Sequence, residues 1–177
     1  MSIVLLIDET ALKRFTVLND NVDVAYINPS IIKAQDIGLQ PLIGTVLYKK
    51  LCELVTPAGN PPARPIDDAA NVAYKTLLDD YITPYLSNKV LEEVQWALFA
   101  KLRNNGIITS QDQQTQQLSI GDCEYLRKKY QYDADFYGRR MTDYLCANST
   151  QYPEWKKRNS VADISADRDA YKTCITL

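Results

Sequence analysis

The chain has 177 residues, about the length of one domain, and a domain of this size buries roughly 70% of the surface that its unfolded chain exposes. Apolar residues make up 46% of the chain and charged residues 24%, which is typical of a globular protein and not of a disordered one. The formal net charge of -2 excludes a global positive field that would hold the protein on nucleic acid or on an anionic membrane. Any contact with DNA must therefore be local or geometric.

The first residues, "MSIVLLIDET", carry a five-residue apolar run with no basic residue before it. That run is too short for the core of a signal peptide or for a membrane span, so we expect a soluble protein made in the cytoplasm. Its β-branched residues predict a short strand over Ile3–Ile7.

Two helices are predicted next. Asp8 or Thr10 can cap a short helix through "ALKRF". A second helix is predicted to start near Asn28 and Pro29, where a capping side chain precedes a proline at the first helical position.

The run "IIKAQDIGLQPLIGTVLYKKL" has the apolar spacing of a helix but contains helix-breaking residues. Pro41 removes a backbone donor and should bend the helix. Gly44 should end it in the left-handed conformation, and Thr45 can cap the next helix. The sequence therefore predicts two helices that meet at a fixed corner.

An exposed proline-rich connection, "TPAGNPPARP", separates these helices from the next pair. Asp67 can cap the helix "DAANVAYKTLLDDY", and Thr83 with Pro84 should start a new one. That helix is apolar on most sides, which is typical of a central helix, and it should end at 104–106.

The glutamine-rich segment 107–120 has too little apolar surface to pack, and its flanks "GIIT" and "QLSI" could pair as a hairpin, so we expect it to project. A last long helix is predicted over Asp122–Ala147. Helical periodicity is lost after it, and we expect a tail that is ordered mainly by a neighbour. The predicted fold class is mainly α: a bundle of about four to five helices over residues 1–149, with a projecting loop or β-hairpin near 107–120 and an extended tail over 150–177.

The sequence contains few residue patterns that are typical of catalysis or of metal binding. There is no histidine, no CxxC pair among the four cysteines and no nucleotide-binding or hydrolase motif, so we predict no catalytic, cofactor-binding or metal site and no cofactor. Adjacent carboxylates such as Glu92 and Glu93 point about 100° apart on a helix, which disfavours an acid and base couple. The basic patch "WKKRN" is either a solvated turn or a phosphate or partner contact.

Three runs together resemble the small head-to-tail connector (adaptor) proteins of tailed bacteriophages, closest to those of crAss-like and other Bacteroidetes phages. They are "NDNVDVAYINPSIIKAQDIGLQPLIGTVLYKKL", "DDYITPYLSNKVLEEVQWALFAKLRNNGI" and "YDADFYGRRMTDYLCANSTQYPEW". The most specific element is "AQDIGLQPLIGTVLY" followed by "YITPYL" and "NNGI". The likeness extends from Asn19 to Trp155 and more loosely to "CITL", and it departs at Gly38, where related sequences more often have a large side chain.

This resemblance implies a virion protein, not an enzyme, that forms a homo-oligomeric ring, usually of twelve copies. Its partners would be the portal protein and the tail-side ring proteins, with no membrane, and DNA would pass through the channel without sequence-specific binding. An acidic balance suits such a channel, since a strongly basic wall would hold the phosphates.

Several segments are candidates for contact with neighbouring subunits, because a closed ring needs two different surfaces on each copy. The predicted interface residues are Ile3, Val4, Leu5, Gln113, Gln114, Thr115, Tyr152, Trp155, Tyr171 and Ile175. One alternative is a small non-enzymatic phage regulatory module that binds a host protein through its tail. Another is a divergent enzyme that uses carboxylates, which would need a pocket.

Overall fold

Helices account for most of the regular structure in the computed structural model, which describes residues 4–16, 18, 22–58, 63–103, 106–109, 119–156 and 164–167. The mainly α-helical bundle predicted from the sequence is confirmed. Its α-helices are α1 (Glu9–Phe15), α2 (Val24–Lys33), α3 (Gln40–Val55), α4 (Val72–Thr76), α5 (Thr83–Phe99), α6 (Ile120–Ala147) and α7 (Pro153–Lys156). Short 3-10 turns lie at Pro65–Asp67 and Ala69–Asn71, and π turns at Ala34–Leu39 and Leu77–Ile82.

The central helix is α5, as its all-round apolar pattern predicts. It packs along α6 over much of its length and contacts α2 and α1 on other sides. Leu86, Val90 and Val94 of α5 are buried in one core with Met141 and Leu145 of α6. Among the described residues, no helix is both long and apolar enough to cross a membrane.

The N-terminal strand and the predicted start of α2 are both wrong. Residues 4–7 form no strand, because the backbone N–H of Leu6 donates to the side chain of Gln35 (2.7 Å) and not to a strand partner. Helix α2 begins at Val24, where the Asp23 carboxylate accepts from a backbone N–H of the first turn. Pro29 therefore lies inside α2 instead of starting it.

Helix α5 also departs from its predicted bounds. Thr83 keeps helical dihedrals and its N–H donates to Leu78 O across a π turn, so the chain runs on from α4 where a break at Pro84 was expected. The bonding from i to i−5 widens the turn beside the proline, whose ring otherwise clashes with the carbonyl four residues earlier.

A short hairpin follows α5, but its pairing differs from the prediction. Strand β1 (Ala100–Arg103) pairs antiparallel with β2 (Gly106–Thr109), so "GIIT" pairs with the residues before it and not with "QLSI". Only two residues separate these strands in the sequence, and short loops are the commonest hairpin connections. Ser119 instead caps α6, with its hydroxyl and the Asp122 carboxylate forming a capping box.

Candidate functional site: the helix break at Gly44 and the exposed apolar surfaces

The predicted corner lies inside α3, at Gly44. This buried residue has φ 79° and ψ 154°, a region of backbone conformation that is essentially restricted to glycine. The break leaves the backbone groups around it without their usual helical partners, and a buried polar group without a partner is costly. The corner therefore needs hydrogen bonds from elsewhere in the chain.

Residues 164–167 supply several of these bonds. Thr45 N–H donates to Ile164 O (2.9 Å), and Asp167 N–H donates to Pro41 O (2.8 Å). Ile164 N–H in turn donates to the hydroxyl oxygen of Thr45 (2.9 Å). The hydroxyl that was predicted to cap a new helix thus binds the C-terminal part of the chain. A Cβ atom at Gly44 would approach the backbone nitrogen of Ala166 to 2.8 Å, so the glycine is needed for space as well as for conformation.

The residues that follow α6 also contribute to this region. Trp155 is buried, and its indole Nε1–H points to Leu42 O at 3.4 Å. Tyr152 is fully buried, and its hydroxyl donates to Ala73 O (2.8 Å). Both side chains are buried in the core of their own chain, and the expectation that they contact a neighbouring subunit stays a prediction.

The N-terminal residues are attached to the same stretch through Gln35. This side chain is 1% exposed; its Oε1 accepts from Leu6 N–H, and its Nε2 donates to Val4 O (3.1 Å). Val4 and Leu5, two of the predicted interface residues, lie partly buried against the core. The interrupted stretch 34–55 therefore anchors residues 4–6 at its π turn and residues 164–167 at its break.

A group of tyrosines connects α7 to the rest of the bundle. Tyr74 Oη donates to the Glu154 carboxylate (3.0 Å), and the rings of Tyr74 and Tyr152 meet edge to face at 5.6 Å. Burial, with the Glu154 hydrogen bond, raises the pKa of Tyr74 to about 12, and burial also raises the pKa of Tyr152. Both hydroxyls are therefore protonated near neutral pH and can donate the hydrogen bonds described above.

The two carboxylates of the Glu92–Glu93 pair do not share a site. Glu92 is buried and accepts from Lys89 (2.6 Å), with Arg127 of α6 at 3.7 Å. Its neighbour Glu93 pairs instead with Lys33 of α2. No group of three potential metal ligands occurs among the described residues.

Sequence reasoning missed a row of exposed aromatic side chains on α6. Tyr125, Tyr132 and Phe136 are 73%, 75% and 58% exposed, and we call them the aromatic face. They lie on the side of α6 opposite the buried residues Ala134 and Met141. Their spacing was visible in the sequence, since positions i, i+7 and i+11 share one face of a helix, but α6 also has a second apolar stripe of the same period, which forms the core.

A shallow groove of about 400 Å³ lies between α2 and α5. We call it the α2–α5 groove. Its wall includes Trp96, which is 41% exposed, together with the small or apolar residues Ala25, Pro29 and Ala97. Because α5 lies between α2 and α6, the groove and the aromatic face belong to different sides of the bundle.

The remaining predicted interface residues fall outside the part of the chain that the structure describes. They are Ile3, Gln113, Gln114, Thr115, Tyr171 and Ile175. The basic residues 157 and 158 of the "WKKRN" patch lie outside it too, so the two interpretations of that patch stay predictions.

Comparison with known proteins assigns the chain to a family but not to an activity. No curated protein and no solved structure matches it. Residues 39–164, which hold the break at Gly44, the central helix and α6, match one family across more than half of the chain. The chain belongs to the family described as a family of unknown function (DUF6712).

Proposed function

We propose that this protein is a structural subunit of the ring between the portal and the tail of a tailed bacteriophage. In this role it extends the DNA channel and provides a platform for the tail, without catalysing a reaction. The partners are further copies of the chain, the portal protein and the tail-side ring proteins.

The observation that carries the proposal is the interrupted stretch "AQDIGLQPLIGTVLY", the most specific part of the resemblance to phage connectors. In the folded chain this stretch holds residues 4–6 through Gln35 and residues 164–167 through Thr45. Residues 4–6 and 164–167 are thereby bound to one stretch of the fold. Such an arrangement suits a ring subunit, whose contacts must repeat identically around the ring.

The two exposed apolar surfaces also support this proposal. A ring closes through head-to-tail contacts, so each copy must present two different surfaces that complement each other. The aromatic face of α6 and the α2–α5 groove are unlike in shape and lie on different sides of α5. Exposed clusters of large apolar side chains mark protein interaction sites more often than chance surface.

Two measurements test this function. Native mass spectrometry with negative-stain imaging of the purified protein, alone and with its portal protein, should give a closed ring of many copies. Mass spectrometry of purified virions should detect the chain, and labelled particles should show it where the head joins the tail. A protein that is absent from virions would contradict the proposal and favour a regulatory module that binds a host protein.

A further inference from the structure

We infer that the break in α3 is a binding site for an extended peptide segment. Residues 164–167 of the same chain occupy the site in this structure, and the same residues of a second copy can replace them. The inference does not depend on the ring proposed above, although a ring would bring such segments close together.

Main-chain groups that α3 would otherwise pair with each other form the centre of the site. In a continuous helix the N–H of Thr45 would donate to the carbonyl of Pro41, four residues earlier. Gly44, with ψ 154°, turns these two groups apart. Each has a partner in residues 164–167 instead, at 2.9 Å for the N–H and 2.8 Å for the carbonyl. One extended segment therefore replaces one helical bond with two bonds of its own.

Space at the break restricts the side chain that a bound segment carries beside Gly44. The backbone nitrogen and the Cβ of Ala166 would lie 2.8 Å and 3.2 Å from a Cβ atom at Gly44, so the segment runs directly against the glycine. Ser165 and Asp167, which flank Ala166, are both exposed. The site therefore restricts the residue at position 166 more than the two residues beside it.

Core packing keeps the site in shape without the segment, because it fixes the chain on both sides of the break. Two fully buried side chains lie on each side: Leu39, Ile43, Leu47 and Leu51. Straightening the helix at Gly44 would move some of them out of the core. An empty site would leave the N–H of the buried Thr45 without its partner, which is costly, so the site favours a replacement ligand.

The segment is held less firmly than the site. None of its four residues is buried: Ile164 and Ala166 are partly exposed, and Ser165 and Asp167 are exposed. Individual hydrogen bonds add little net stability, since water replaces them when they break. The same segment from a second copy would restore the same bonds, so exchange between copies leaves the number of hydrogen bonds unchanged.

The connection to α7 decides when exchange occurs. Helix α7 ends at Lys156, and residues 157–163 connect it to the segment. Short connections give effective concentrations on the order of 1 mM. The chain's own segment therefore occupies the site in dilute solution, and a second copy competes only where an assembly holds its segment equally close.

Ala166→Asp tests the site in the full chain. The substitution places a charge against Gly44 and should release the segment while leaving the site intact. A fluorescent peptide of residues 161–170 should then bind this variant at least ~10-fold more tightly than the wild type, whose own segment competes. Fluorescence anisotropy measures the affinity. Ser165→Asp is the matched control, because it adds the same charge at the exposed neighbouring position and should bind the peptide as the wild type does.

Exchange between copies is measured at the Thr45 amide. In isotope-labelled Ala166→Asp protein this amide should lose its protection from hydrogen exchange. An excess of unlabelled Gly44→Ala protein should restore the protection, since that variant has an intact segment and a blocked site. Unlabelled Ala166→Asp protein is the control and should restore none. If Ala166→Asp does not fold, Ile164→Pro replaces it, because proline removes the N–H that donates to the Thr45 hydroxyl.

Three results would overturn the inference. The first is a folded Ala166→Asp or Ile164→Pro protein that does not bind the peptide. The second is equally tight binding of a peptide that itself carries Ala166→Asp. The third is a Thr45 amide that the Gly44→Ala protein fails to protect. Virion content decides the proposed function separately, so the inference and the ring function fail independently of each other.

Discussion

Two stretches of this chain begin alike and end differently. Each has a six-residue π turn, Ala34–Leu39 in one and Leu77–Ile82 in the other, followed by a helix whose second residue is proline. In both, the first residue after the π turn donates its N–H to the carbonyl five residues earlier. Yet α3 breaks three residues after its proline, whereas α5 continues to Phe99.

The difference lies at the third residue after each proline. In α3 this position is Gly44, with a positive φ, and in α5 it is Ser87, which is fully buried within a continuous helix. A proline preceded by a π turn is therefore compatible with an intact helix. The break in α3 requires the glycine as well, together with partners for the freed backbone groups.

Among the substitutions that test this comparison, removing the side chain packed against the broken helix should lower the stability most. Trp155→Ala should lower the free energy of unfolding by about 3–5 kcal/mol, the usual cost of truncating a buried tryptophan. Chemical denaturation monitored by circular dichroism measures it. Trp155→Phe is the matched control, since it keeps most of the packing and loses the bond to Leu42 O, and it should cost far less. Equal losses would mean that the hydrogen bond dominates.

Gly44→Ala should have the next largest effect, about 1–3 kcal/mol, because alanine is strained at this positive φ and its Cβ would lie 2.8 Å from the Ala166 nitrogen. Hydrogen exchange should also show lost protection at the amides of Thr45, Ile164 and Asp167. Gly121→Ala is the control: among the described residues, that Cβ meets the Ser119 hydroxyl at an ordinary contact distance of 3.6 Å, so no loss is expected. A Gly44→Ala protein with unchanged stability and protection would contradict the account of the break.

Ser87→Gly places a glycine at the equivalent position of α5. It should lower the free energy of unfolding by a smaller amount, about 1 kcal/mol, which is the usual cost of glycine inside a helix. We expect α5 to stay continuous, because the described elements packed most extensively against it, α6 and α2, are helices whose backbone groups are already bonded within the helix. Hydrogen exchange at residues 87–91 measures this. Loss of protection confined to those amides would show instead that glycine after the proline is sufficient for a break.

The sequence predicted the fold class, the central helix and the corner at Gly44, because these depend on local signals: apolar periodicity, glycine and proline. The prediction of a helix start at Thr83 and Pro84 is wrong, because the π turn before them lets the helix continue through the proline. A proline that starts a helix and a proline that a π turn accommodates have the same local sequence signal, a capping residue followed by proline.

The candidate surfaces were less predictable than the fold. Tyr152 and Trp155 follow the last long helix in a polar segment, so their burial depends on contacts with Ala73 and Leu42, which are about 80 and 113 residues away in the chain. Such long-range contacts leave no periodic signal. The aromatic face did have one, since Tyr132 and Phe136 are four residues apart on α6, but only the packing of α6 against α5 decides which side is exposed.

The smallest expected change in stability concerns the contacts by which α7 links the two stretches. It is measurable only at high pH. Helix α7 holds the first stretch through Trp155 and reaches Tyr74, just before the second, through Glu154. Tyrosine in an unfolded chain has a pKa of about 10, whereas burial with the Glu154 hydrogen bond raises the pKa of Tyr74 to about 12 in the folded protein. Between these values the unfolded chain has lost a proton that the folded chain keeps, so the contribution of Tyr74 to stability is full below about pH 10 and is lost as the pH rises through about 12.

Tyr74→Phe should therefore make stability fall less steeply over this range, with unfolding releasing up to about one proton fewer, while changing little at neutral pH beyond the lost hydrogen bond. Denaturation curves at a series of alkaline pH values measure the slope. Tyr132→Phe, at a side chain that is 75% exposed, is the matched control. If both substitutions leave the same slope as the wild type, the pKa of Tyr74 is not raised in the folded protein, which would contradict its burial beside Glu154.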